Sequence, residues 1–289
     1  MRPFELFLYV AVVFGWSTSW YPLSLQLGVV APEVSLVWRF SVSALMMLAL
    51  TAVLRINLRF GPREHLRFLC LGIALFSTNF ALFYNASLYL ASGLLAVILS
   101  MASLINVVLV AVMNRRPPPL LQATAAIVGL VGLGLIFAQE FRALPVAGTA
   151  LSYGVLATFS FCIGNLLSSD SQRRKIPVLA STSWGMVYGT LFMTVIALLR
   201  GHPFIIDMSA SYLVSLAWLI LISSVMTFAC YLSLVGRIGP GRAAYATVVF
   251  PVFALLISAH YEGYQWSVLA LTGLALVILG NVIMIRARD

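Results

Sequence analysis

Charged residues punctuate this chain, and long apolar stretches run between them. The charge-free runs are 6–32, 40–54, 68–114, 117–139, 143–169, 176–199, 208–236, 243–261 and 263–285. A charge in hydrocarbon is costly and a spanning helix needs about 20 apolar residues, so these runs read as membrane spans. Run 68–114 is long enough for two helices with a hairpin near Leu90-Ala91-Ser92-Gly93. Run 40–54 extends back through Arg39 to Pro32, a residue suited to the first turn of a helix. The pattern predicts ten helices, at 4–26, 33–54, 67–87, 93–113, 120–139, 147–168, 178–199, 212–233, 241–261 and 266–285. The fold class expected is an all-α polytopic membrane protein.

Composition narrows the classes that remain. Of 289 residues, 62% are hydrophobic and 9% charged, with a net charge of +9. Soluble domains are about 45–50% apolar and about 25% charged, which excludes a soluble enzyme, a nucleic-acid binder or a disordered chain. Cys70, Cys162 and Cys230 lie in apolar sequence and read as small hydrophobes, neither disulfides nor metal ligands. With the N-terminus inside, 14 of the 17 basic residues fall on cytoplasmic segments, Arg142 and Arg200 fall outside, and Arg39 sits within a span. That asymmetry predicts cytoplasmic N- and C-termini in a multi-pass membrane protein. The first apolar run is long and lacks a small-residue cleavage site, which predicts an uncleaved first helix.

Five spans fall on each side of the 140–146 connector, dividing the chain into 1–142 and 143–289. At an offset of 148, Ser92-Gly93 aligns with Pro240-Gly241, Thr124 with Thr272 and Gly132 with Gly280. A five-helix unit repeated in one chain enters the membrane in opposite orientations, the plan of many secondary transporters. Gly15-Trp16-Ser17-Thr18-Ser19, Pro32 and Arg39-Phe40 mark the first half. Gly239-Pro240-Gly241-Arg242-Ala243-Ala244, Pro251-Val252-Phe253-Ala254, Glu262 and Gly273…Gly280 mark the second. In this series the chain resembles the drug/metabolite transporter superfamily, EamA-type, along nearly its whole length. The run Phe80-Ala81-Leu82-Phe83-Tyr84 and the aromatic span ends narrow the resemblance to its aromatic amino-acid exporters. The resemblance implies two inverted five-helix repeats, placement in the bacterial inner membrane, and efflux of amino acids or related metabolites. One departure is Asn114, where the pattern carries an acid after the fourth span.

Polar and aromatic residues at lipid depth must find a protein partner or line a wet cavity. The candidates for substrate binding are Trp16, Trp20, Asn79, Phe83, Tyr84, Asn165, Trp184, Tyr188, Tyr231 and Tyr245. They predict a midplane cavity walled by rings that suit a flat side chain, with amides for a zwitterion's ends. Interfacial anchoring is the competing use of Trp and Tyr, as at Trp38, Trp218 and Trp266. Pro251, Gly93 and Gly241 are the candidate hinges, whereas packing alone accounts for Gly129, Gly132 and Gly134. Arg39 could meet a substrate carboxylate, but the resemblance favours a structural role. No acid or histidine stands at mid-membrane, so facilitated transport without ion coupling is expected.

Scattered histidines and single acids offer nothing to a lipid-modifying enzyme, so no enzyme activity, metal or cofactor is expected. The partners expected are a small-molecule substrate and the lipid bilayer, with no nucleic acid, for a chain working as a monomer. The alternative substrates are nucleosides, drugs and other small metabolites.

Overall fold

A computed structural model of the chain describes residues 2–143, 145–231, 233, 234, 237 and 246–286. Among these residues every regular element is helical. The helices are α1 (Pro3–Ser24), α2 (Pro32–Val53), α3 (Pro62–Ala86), α5 (Leu120–Ala143), α6 (Ala147–Arg173), α7 (Val178–Leu199), α8 (Ala210–Tyr231), α9 (Ala246–Tyr261) and α10 (Val268–Arg286). Between α3 and α5 lies α4, built as Ser92–Ser100 and Ala102–Asn114. Eight of them are long and apolar enough to cross a bilayer, and two shorter apolar segments complete the set. The chain is a polytopic helical membrane protein.

Local chemistry sets the helix ends. Proline opens α1, α2 and α3, where a missing N–H costs nothing. Ser209 caps α8 by accepting from the Tyr212 N–H at 3.3 Å. On the same side of the bundle, α2, α4 and α6 end on left-handed basic residues, Arg55, Arg115 and Lys175. Each cation there meets the negative end of a helix dipole. α3 starts earlier than position 67, the expected start, because Arg63, Glu64 and Arg67 occupy an amphipathic first stretch beyond the apolar run. That stretch is anchored by Arg67, whose Nε lies 3.8 Å from Asp170 on α6.

Hydroxyls interrupt the long helices by competing for backbone carbonyls. α1 is offset at Thr18–Ser19, where the Thr18 hydroxyl donates to Phe14 O at 2.8 Å and Ser19 to Gly15 O. α3 and α8 each contain a π-helical stretch, at Gly72–Thr78 and Leu219–Met226. Both stretches carry a hydroxyl that reaches five residues back. Ser77 donates to Gly72 O at 3.0 Å, and Thr227 to Ile222 O at 2.6 Å. Pro251 falls inside α9.

Helix pairing follows a simple exchange. α2 packs on α7, α4 on α9 and α5 on α10, and the pairing of α3 with α7 is matched by that of α8 with α2. The 148-residue offset is realised at the α5–α10 crossing. A Cβ at Gly132 would meet Gly273 O at 2.6 Å, and one at Gly280 would meet Ala125 O at 2.7 Å. The second contact is the first, shifted by 148 in each partner and reversed. Gly72 makes a similar approach to Gly185 and Gly189 of α7. Without a hydrophobic drive between helices in lipid, such close backbone contact supplies the attraction.

Gly93, expected as a hinge, packs closely on α9. A Cβ there would lie 2.7 Å from the Leu255 Cα and 2.9 Å from Ala254 O of α9. Gly241 lies outside the described residues.

Candidate functional site

A cavity of about 430 Å³ opens between α4, α5 and α6, within the usual range of ligand pockets. Asn106 and Val107 of α4, Gln122 of α5 and Asn165 and Ser169 of α6 line it, with Arg116 and Pro117–Pro119 at its mouth. Three consecutive prolines cannot continue α4, and they form the link to α5 at the cavity mouth. The Asn106 Oδ1 is buried without a hydrogen-bond partner. Leaving a buried acceptor unpaired costs free energy, which sets Asn106 apart from amides that the fold itself satisfies. Amides on three walls and a guanidinium at the mouth suit a ligand with both donor and acceptor ends. Among the described residues no three His, Cys, Asp or Glu come together as a metal site.

Of the expected binding residues, Asn165 lines this cavity. Trp20 and Phe83 are buried, and Trp16 and Tyr231, partly buried, pack against the same ring cluster. Trp20 meets Phe83 edge-on at 5.1 Å and stacks over Phe250 at 6.5 Å. Trp16 packs with Tyr231 at 5.0 Å, with Phe250 at 6.2 Å and with Phe228 at 6.4 Å. Edge and face contacts between rings satisfy one another and leave no space between them. Asn79 is buried and donates to Ala157 O at 3.0 Å, tying α3 to α6. Tyr84 is fully buried. Among the described residues these rings pack on one another near the middle of the bundle, and the cavity lined by Asn165 lies toward the arginine-rich end. Trp184 and Tyr188 belong to a separate cluster at the start of α3. There the Trp184 indole donates to Leu58 O at 3.1 Å, and the Tyr188 hydroxyl meets His65 Nδ1 at 2.9 Å. Tyr245 lies outside the described residues. Asn106, which the sequence reading passes over, sits in apolar sequence as Asn79 and Asn165 do.

The opposite end of the bundle is tied shut. Arg200 of the α7–α8 loop pairs with Glu33 of α2, and His202 Nε2 lies 3.7 Å from the same carboxylate. Glu262, just beyond α9, accepts from the Ser92 N–H at 2.9 Å and the Ser92 hydroxyl at 2.7 Å, and from Ser258. One carboxylate thus caps the start of α4 and joins it to α9. Tyr21 stacks on Tyr261 at 4.9 Å across the same end. Nearby, burial and the Glu140 charge push the Tyr264 phenol up from 10.0 to about 12. The folded chain holds this proton more tightly than the unfolded one, so its stabilising effect is present below pH 10 and is lost as pH climbs to about 12. Tyr264→Phe should flatten that part of a stability–pH curve measured by thermal denaturation in detergent.

Comparison with known proteins shows what the chain is similar to. Residues 148–286 match the EamA-like transporter family. This EamA-like segment supplies Asn165 and Ser169 to the cavity, Tyr231 and Phe250 to the ring cluster, and Glu262 to the closed end. The uncharacterized inner membrane transporter YicL of Salmonella typhimurium is 26% identical over 178 residues. That match takes in 61% of this chain and 57% of the relative, so the chain spans little more than half of that protein's length. A solved crystal structure shares the fold at a TM-score of 0.69, with 13% identity and 98% of each chain covered.

Proposed function

We propose that the chain is a facilitative efflux carrier, moving aromatic and other neutral amino acids and related metabolites outward across the bacterial inner membrane by alternating access. The observation that carries this is the contrast between its ends. One end opens into a cavity walled by Asn106 and Asn165, and the other is closed by Glu33–Arg200 and Glu262–Ser92. The basic residues gathered at the open end favour the cytoplasm, so the open cavity faces the compartment from which efflux starts. The exchange of helix pairings and the paired glycine contacts support two inverted repeats, 1–142 and 143–289, that rock against each other. The EamA-like match and the transporter relative point the same way, and away from an enzyme.

Substrate class follows from the walls. Arg116 at the mouth repels cations and draws carboxylates, and the lining residues include no acid. That disfavours cationic drugs. Beyond the cavity a substrate meets the rings of Trp16, Trp20, Phe83 and Tyr231, which favour a flat side chain. No acid stands at mid-span to relay protons, which supports transport without ion coupling.

Counterflow of labelled amino acids in proteoliposomes tests the reading. Asn106→Ala and Asn165→Ala should each slow counterflow by about tenfold, with normal insertion, by removing a hydrogen bond from a desolvated site. Absence of counterflow for every amino acid tried would refute the proposal.

A further inference from the structure

Among the described residues Arg39 is the one buried basic residue, at 2% exposure. It lies seven residues into α2, about 10 Å from the helix start and from the closed end. Its Nε and Nη2 donate to Ser224 and Ser223, both at 3.2 Å, from the π-helical stretch of α8. Its charged plane lies over Phe80 at 4.6 Å and Phe40 at 5.1 Å. Its Nη1 has no partner. The Tyr84 hydroxyl, also buried, stands beside the guanidinium and interacts with it.

Among the described residues no carboxylate pairs with Arg39. Its hydrogen bonds run to neutral hydroxyls and are longer than the about 2.7–2.9 Å of charge-assisted ones. Rings and hydroxyls offset only part of the cost of burying a lone cation at lipid depth. A guanidinium N–H and a phenol O–H side by side, with no acid between them, are the donor pair that a carboxylate's two oxygens accept from. The site also sits on the seam between α2 and α8, one helix from each half of the chain, so rocking of the halves opens and closes it.

We infer that Arg39 and Tyr84 form a carboxylate-binding station, which engages the acid group of the transported molecule as it passes from the cavity toward the closed end. This rests on the efflux reading for the direction of travel, and it makes a carboxylate a required part of the substrate. Arg39 is then a binding residue as well as a strut between α2 and α8.

The test uses the purified full chain in detergent, with phenylacetate and its neutral isostere phenylacetamide as probes. Phenylacetate should raise the thermal midpoint, and phenylacetamide at equal concentration should not. Arg39→Gln should abolish the shift. Tyr84→Phe, which keeps the ring and loses only the hydroxyl, should weaken apparent affinity several-fold and decides the matter should Arg39→Gln not fold. Equal stabilisation by acid and amide, or a shift unchanged in Tyr84→Phe and in any folded Arg39→Gln protein, would overturn the inference. The two readings fail separately. Carboxylate stabilisation without counterflow removes the efflux proposal and keeps the station, and counterflow without acid–amide discrimination does the reverse.

Discussion

Gly273→Ala and Gly132→Ala should each lower the thermal midpoint sharply, while Gly134→Ala, two residues along the same helix, should raise it. The three changes add the same methyl group. At Gly273 it would lie 2.5 Å from Gly132 O and 3.0 Å from Ile136 N, and at Gly132 it would lie 2.6 Å from Gly273 O and 2.8 Å from Val277 N. These are mostly backbone atoms, which cannot rotate aside, so α5 and α10 must separate. Overpacking of this kind costs about 1–3 kcal/mol, and separation along the seam adds lost dispersion contacts. For a chain of this size that is about 2–4 °C per kcal/mol. At Gly134 nothing lies within 4 Å, so alanine contributes only its better helix propensity, about 0.5–1 kcal/mol. Thermal denaturation of the three variants in detergent gives the answer. Equal effects would mean that the crossing is not as close as described.

Glu262→Ala should release the closed end. The carboxylate holds the Ser92 N–H, the Ser92 hydroxyl and the Ser258 hydroxyl together, and its loss leaves three groups without their acceptor. Charged hydrogen bonds contribute about 1.5–3 kcal/mol, so the balance between closed and open should move by about tenfold or more. Leu90, buried at that end, is a suitable reporter. In an otherwise cysteine-free protein, Leu90→Cys should react with an impermeant thiol reagent about tenfold faster when Glu262 is alanine. Unchanged labelling would show that the ion pair of Glu33 with Arg200 closes the end unaided. The latch is also one-sided. The position 148 residues before Glu262 is Asn114, whose amide carries no charge, and the position matching Ser92 is Pro240, which has no N–H to offer. Asn114 ends the described α4, and Pro240 lies outside the described residues.

The ten helices are legible in the sequence because hydrocarbon excludes charge along the chain, one residue at a time. The start of α3 is not, because Arg63, Glu64 and Arg67 look like loop residues until Asp170, more than a hundred residues away, gives Arg67 its partner. For the site, the sequence marks which side chains avoid lipid but not what they face instead. Trp20 reads equally well as a cavity wall or as a packed ring. Its contact with Phe250 exists only in the folded bundle. Asn106 and Asn165 have the same local signal as Asn79, yet two border open space and one is consumed by Ala157 O. Arg39 is visible as an anomaly from the first reading. Only the coordinates reveal that hydroxyls, not an acid, surround it.

The wide turns of α3 and α8 carry a mechanical consequence. A π turn holds one residue more than α-helical spacing, so side chains before and after it are out of phase by about 100°. Ser223 and Ser224 belong to the π stretch of α8, so its phase sets which hydroxyls face Arg39, and a one-residue change in that phase would turn them away while both helix ends stay in place.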